Sequence, residues 1–396
     1  MQSPLINPLK SVLINPIINP FGAQGVPTIS PANFNFSRAS AAYDPLGILY
    51  PSGVPRIYGY PQRLMVEEGT TNLLPASATN TFSDVSQISV LGGATRAQDN
   101  TVLFGGKPTL KVITSASAAS GISVAGLTAG TKSGKWIVKG SAGAIITVQF
   151  GAVPANITLS GGWDEIKQEN ATIGANLTFA LFTGFGTSPS ASQSLNIAWM
   201  TAESKAYCTS VIDTNRAAEV VTVPGSYLNP AQGTIEILCN MNAVTKRQVS
   251  GQYNILITMP RVSNPSLAAF TIYHSATAAN FTFNTYDDSS NVTTTTFNDP
   301  PDGITAFAIS FDAISAKVYI NGSVVATINN PKLPSSGFST IYPGQNNGFS
   351  YMNTAFYDMC LSSSKRTDLD IASRAAFAQA NGYFPNDGNV TWKLKR

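Results

Sequence analysis

The chain has 396 residues, 43% of them hydrophobic and only 11% charged, with a net charge of +3. Soluble globular proteins carry about 25% charged residues, so stability here cannot rest on ion-pair networks spread over the surface. So small a charge, with no cluster of Lys or Arg, argues against nucleic acid as a partner, and no apolar run is long enough for a membrane-spanning helix.

A chain of this length holds about two or three domains. Its Ser, Thr, Asn, Gly and Ala content suits a β-rich surface protein. The three cysteines, Cys208, Cys239 and Cys360, are far apart and show no C-x-x-C spacing. They predict buried apolar residues rather than a disulfide framework or a metal site, which fits assembly in a reducing cytoplasm. No basic segment followed by an apolar run suggests a signal peptide.

Residues 1–33 read as an extended arm. Three Asn-Pro steps, at Pro8, Pro16 and Pro20, forbid a long helix because the residue before proline is pushed to extended geometry. Ile6, Leu9, Leu13, Ile14, Ile17, Ile18 and Phe21 are too apolar for a solvated tail. With those prolines they predict an anchor that docks on a partner or folds back onto its own oligomer.

Residues 34–75 read as short extended pieces joined by turns at Asp44-Pro45-Leu46-Gly47 and Pro51-Ser52-Gly53. Phe36, Arg38, Ala39, Ser40, Ala42 and Tyr43 are followed by Asp44, Gly47, Leu49 and Pro55-Arg56. Leu64, Val66, Glu67, Glu68, Thr71, Asn72, Leu73 and Leu74 then complete an ordered pattern. This pattern resembles a module of tailed-bacteriophage virion proteins, F-x-R-A-S…E-E-x-x-T-N-L-L, found in fibre, spike and head-decoration subunits. Arg63-Leu64-Met65 departs from the family's Gly-Leu-Leu. The resemblance implies a connector followed by β-sandwiches and a place on the virion surface after assembly in the bacterial host cytoplasm. It also implies capsid or tail proteins as partners of residues 1–33, and a homotrimer as the likeness to fibres and spikes suggests. The Glu67-Glu68 pair and the arginines are expected to form structural ion pairs.

Residues 76–223 alternate in a β manner, with turns rich in Gly, Ser and Asn. Regular short strands at this spacing predict a jelly-roll-like sandwich. Its end, Glu203, Thr209, Ser210, Ile212, Thr214, Arg216, Ala217, Ala218 and Glu219, resembles the E-x-x-x-x-T-S-x-I…T-R-A-A-D run of the same phage proteins. Residues 224–396 predict a second sandwich. Asn321-Gly322 between alternating apolar strands signals a type I′ hairpin, and the Lys317-to-Gly322 pattern resembles concanavalin-A-like and laminin-G-like domains. A helix follows Thr367, with Asp368 and Asp370 in its first turn and an apolar face of Leu369, Ala372, Ala376 and Phe377. The fold class expected is all-β: two antiparallel sandwiches after an extended arm, with one short C-terminal helix.

The chain offers little for catalysis. His274 is its sole histidine, and it sits at the end of an aromatic strand without a nucleophile elbow. The densest carboxylate group, Asp164, Glu165 and Glu169, has Lys167 where a glucanase-like E-x-D-x-x-E strand carries an acid. No catalytic residue and no enzymatic activity are expected, with a polysaccharide depolymerase as the alternative that would need a carboxylate pair. No cofactor is expected either, although Asp287-Asp288 and Asn298-Asp299…Asp302 supply hard oxygen ligands suited to Ca2+. Acidic turn residues also bond their own backbone. Tyr253, Tyr273, Tyr286, Tyr342 and Tyr351 are the candidates for binding host-surface glycan, each with a core or strand-face position as the competing reading. A purely architectural decoration or adaptor subunit is the other alternative.

Overall fold

The computed structural model describes residues 35–44, 47–58, 63–67, 69–74, 80, 82–117, 119–150, 154–173, 177–183, 192–205, 208–209, 212, 215–241, 253–274, 280–345, 354–385 and 390–392. The arm 1–33, Glu68 and Tyr351 lie outside them. The chain is all-β, with antiparallel sheets and one α-helix among the described residues.

Two five-stranded sheets make the first sandwich. One runs Pro154–Thr158, Ile145–Phe150, Leu177–Thr183, Ser120–Leu127, Ser89–Leu91; the other Trp163–Ile173, Gly130–Lys139, Ser194–Glu203, Lys107–Ile113, Thr95–Phe104. Alternation drives the assembly, since successive side chains of a strand point to opposite faces. Trp136 and Val138 enter the core with Val148, Ile166 and Ile197. Ile137 faces the other way and meets Trp199 and Tyr43.

The second sandwich pairs a seven-stranded sheet with an eight-stranded one. The first runs Asn35–Ser37, Val220–Pro224, Thr340–Pro343, Asn254–Pro260, Ala268–His274, Asn280–Tyr286, Val292–Asn298. The second runs Ser323–Asn329, Ser315–Ile320, Gly303–Asp312, Gln232–Met241, Thr354–Ser362, Arg63–Val66, Ile57–Tyr58, with Val390–Trp392 also on Thr354–Ser362. Stretch 34–75, read from the sequence as a connector, thus lends strands to both sheets of the second sandwich, and Ile57, Leu64 and Val66 join its core. The first sandwich is inserted between those strands and Val220–Pro224.

The entry and exit of that insertion meet in a buried ion network. Arg38 and Arg56 each place a guanidinium nitrogen 2.7 Å from Glu219 Oε1. Arg56 also lies 2.7 Å from Glu67 Oε2, and Arg216 3.3 Å from the same oxygen. All five side chains are buried. Glu219 further accepts from the Glu67 backbone N–H at 3.0 Å, and Arg56 donates to Tyr43 O at 2.8 Å. Beside it, Asn72 donates to Met200 O and Ile212 O and accepts from Ala202 N–H, carrying Leu74 into the first core. Buried Glu203 accepts from Thr70 and Thr209; burial pushes its carboxyl up from the ordinary glutamate range, with Arg216 opposing. Segments around Arg38–Asn72 and Glu203–Glu219, distant in sequence, are one structural joint.

Asn321 and Gly322 both hold positive φ, 52° and 85°, as a type I′ turn requires. A Cβ on Gly322 would sit 2.8 Å from Ala372 Cα, so glycine also lets the helix approach. That helix, Asp368–Asn381, is capped by Thr367, whose hydroxyl accepts from Asp370 N–H, and ends at Gly382 with φ 76°. Its buried residues are Ile371, Arg374, Ala375 and Ala378, which corrects the expected face: Leu369 is 81% exposed and Phe377 borders solvent. The rotation follows from Arg374, whose guanidinium pairs with buried Glu236 at 2.8 and 2.7 Å. Leu238, Ala306 and Cys360 of the eight-stranded sheet pack under the helix against Ala375 and Ala378.

Lys317 Nζ and Tyr319 Oη lie 2.8 and 2.7 Å from the Asp368 carboxylate, and these hydrogen bonds hold it below the usual aspartate range. A depressed carboxylate stabilises the fold above its unfolded pKa, and that contribution is lost as pH falls through the folded value. Amide exchange in the helix should therefore accelerate below about pH 4, and Asp368→Asn should remove the part of that acid response due to this clamp.

Candidate functional site

The seven-stranded sheet has one face in the core. Ile257, Met259, Phe270, Ile272, Phe281, Phe283, Phe297 and Ile341 all enter the main hydrophobic cluster. Leu256 and Ala269 also belong to that cluster, but the other alternate positions face away from it, and of these Thr258, Thr282 and Asn284 are themselves buried. In register, Tyr342 lies opposite Thr258, Thr258 opposite Thr271, Thr271 opposite Asn284, and Asn284 opposite Thr294. A second row places Ile255, Tyr273, Thr282 and Thr296 side by side. No position in either row is charged. The α-helix covers the other sheet of this sandwich, not this one.

Four of the five candidate tyrosines gather here. Tyr253, 49% exposed, packs edge-to-face on Tyr273 with ring centroids 4.8 Å apart. Tyr286 ends the Asn280–Tyr286 strand, and its hydroxyl accepts from Asn284 Nδ2 at 3.1 Å. Tyr342 stands at the far end of the first row. The threonines and Asn284 were not singled out from the sequence. Their signal was the strict parity of Phe281-Thr282-Phe283-Asn284, apolar on one side and hydrogen-bonding on the other. Such a face combines apolar ring surfaces with hydroxyl and amide groups, as recognition of a neutral polar ligand demands.

The remaining candidates have local roles. His274 Nε2 shares a 2.9 Å hydrogen bond with Asp299 and its ring meets Phe281 edge-on. Glu165 pairs with Lys135 at 2.7 Å and Lys167 at 3.3 Å, and Glu169 accepts from Cys208 N–H. Burial raises the Glu165 carboxyl, but the lysines outweigh it and the net shift is down. Asp287 accepts from Ser289, Asn291 N–H and Asn291 Nδ2, closing its own turn. Asp288 accepts from Ser263, Ser335 and Ser336, which hold its carboxyl well below the usual range. No group of three or more potential metal ligands occurs among the described residues. The three cysteines are buried, and burial pushes the Cys208 and Cys239 thiols up, away from the reactive thiolate form.

No protein-family model and no curated protein matches the chain. Among solved structures, it is similar to the receptor-binding domain of botulinum neurotoxin mosaic serotype C/D at 12% identity and TM-score 0.33, covering 40% of each chain. The binding domain of botulinum neurotoxin DC in complex with SialylT matches at 16% identity and TM-score 0.33, with 43% of this chain and 40% of that chain covered. A structure of botulinum neurotoxin type C, whose cell entry depends on interaction with two ganglioside molecules, gives 15% identity, TM-score 0.32 and coverage of 43% of this chain and 41% of that chain. The chain thus spans less than half the length of these structures. The likeness is partial, and the fold rests on the strand pairing above.

Proposed function

We propose that this chain is a non-enzymatic structural subunit of a tailed-bacteriophage virion, a head fibre, spike or tail-fibre protein anchored through residues 1–33. It displays its second sandwich outward, and the tyrosine–threonine face binds host-surface glycan. The observation that carries the binding role is the uncharged outer face where Tyr253, Tyr273, Tyr286 and Tyr342 share one sheet with Thr258, Thr271 and Asn284. The virion role is supported by the phage-like segments, whose charged and amide residues build the joint between the sandwiches. A homotrimer would multiply weak single sites, since linked sites raise avidity by roughly 10²–10⁴.

A glycan array probed with the full chain tests the binding role. Aromatic hot spots contribute about 2 kcal/mol or more, so the double variant Tyr273→Ala/Tyr342→Ala should lose at least about 30-fold in affinity while remaining folded. A blank array, or equal binding by the variant, would remove the adhesive reading.

A further inference from the structure

The face of this sheet turned away from the core holds two buried polar atoms, Thr258 Oγ1 and Asn284 Oδ1, with no hydrogen-bond partner among the described residues; the two residues are 1% and 7% exposed. Native structures leave few such atoms, because an unmet buried polar group is costly. Both belong to one register row, with Thr271 between them. Strands lie about 4.8 Å apart, so the two residues are roughly 10 Å apart across the sheet. That distance exceeds one sugar ring and suits hydroxyls on neighbouring rings of a chain.

Charge narrows the ligand further. Two cations stand by the turn that follows Tyr286: Arg261 donates to Asp287 O and Ser290 Oγ, and Lys332, bonded through its backbone N–H to Thr285, acts on Asp287. The carboxylates of that turn are engaged by serine and asparagine groups. An anionic sugar would shed its water here without meeting a cation in either row.

Resting on the reading of this face as a glycan site, we infer that its ligand is a neutral oligosaccharide of at least two hexose rings. It lies across the strands along Tyr342, Thr258, Thr271 and Asn284. Thr258 Oγ1 and Asn284 Oδ1 hydrogen-bond hydroxyls of successive rings. Because both atoms are buried, the ligand reaches them only when the side chains that cover them move aside.

The test uses the full chain on an array of neutral and anionic glycans of one to six sugars, followed by calorimetric titration of the best neutral hit. Neutral disaccharides and longer chains should bind at least about tenfold tighter than monosaccharides and tighter than sialylated or uronate-bearing counterparts. Thr258→Val should bind about tenfold more weakly, the loss of one hydrogen bond. Its unfolding midpoint should stay equal to or above that of the parent, because valine keeps the shape and removes an unmet hydroxyl. Unchanged binding in Thr258→Val, a lowered midpoint, or a preference for anionic glycans would overturn this inference while leaving glycan binding itself standing. No binding to any glycan would overturn both.

Discussion

Glu219→Ala is expected to lower the folding stability of the second sandwich by about 3–5 kcal/mol, the cost of breaking a buried ion pair by removing one partner. Glu219 meets Arg38, Arg56 and the Glu67 N–H at once. Its removal leaves two buried guanidiniums short of an acceptor, with only Glu67 still opposite Arg56. Denaturant midpoints at constant slope would measure the loss. Glu219→Gln should cost less, since it keeps the volume and an acceptor oxygen. Lys317→Ala, which removes a solvent-accessible pair with Asp368, should cost no more than about 1 kcal/mol. A Glu219→Ala protein as stable as the parent would mean that the joint holds by packing alone.

Phe270→Ala should cost a similar about 3–5 kcal/mol, through lost transfer energy and the cavity left behind. Its ring lies 5.8 Å from Phe283 in its own sheet, 4.9 Å from Phe311 in the facing sheet, and 5.4 Å from Phe338. It therefore couples the two sheets of the second sandwich. The first sandwich has a separate hydrophobic core built around Trp136, Phe150 and Leu110. The variant should unfold in two steps, the second sandwich first. Trp136, Trp163 and Trp199 are in the first sandwich and Trp392 is in the second, so fluorescence should show the larger part of its change in the later step and a smaller part in the earlier one. Hydrogen exchange in Ala268–His274 and Asn280–Tyr286 should follow the earlier one. A single shared transition would show that the joint makes the sandwiches one cooperative unit.

Much of the fold was legible because its signals are local. The Asn321-Gly322 hairpin needs two positive φ values that asparagine and glycine supply, and Thr367 caps the helix it precedes. Strands Ala268–His274 and Asn280–Tyr286 carry their signal in Phe270-Thr271-Ile272 and Phe281-Thr282-Phe283-Asn284, where apolar and polar residues alternate. Thr95–Phe104 and Val292–Asn298 lack such a pattern. They are polar edge strands whose pairing is set by a neighbour rather than by their own pattern. The sense of the helix was hidden for a different reason. A buried Arg374 makes sense only once Glu236, far away in sequence, is seen beneath it.

The same distance rule governs the joint and the site. Arg38, Arg56 and Glu219 were visible as motif residues, but nothing local says that they meet across the first sandwich. The tyrosines were visible as exposed-aromatic candidates. That Tyr253, Tyr273, Tyr286 and Tyr342 share one face follows from register across four strands, which the sequence carries only through parity. Thr258 and Asn284 drew no notice because unmet hydrogen bonding is a property of surroundings.

The most direct test of the proposed virion role is a reconstruction of the particle in which this chain is traced among its neighbours. The account predicts residues 1–33 ordered against a capsid or tail protein, and the second sandwich outward with the Tyr273–Tyr342 face open to solvent. Finding that face packed against another subunit would contradict glycan display and make the protein an architectural element of the particle.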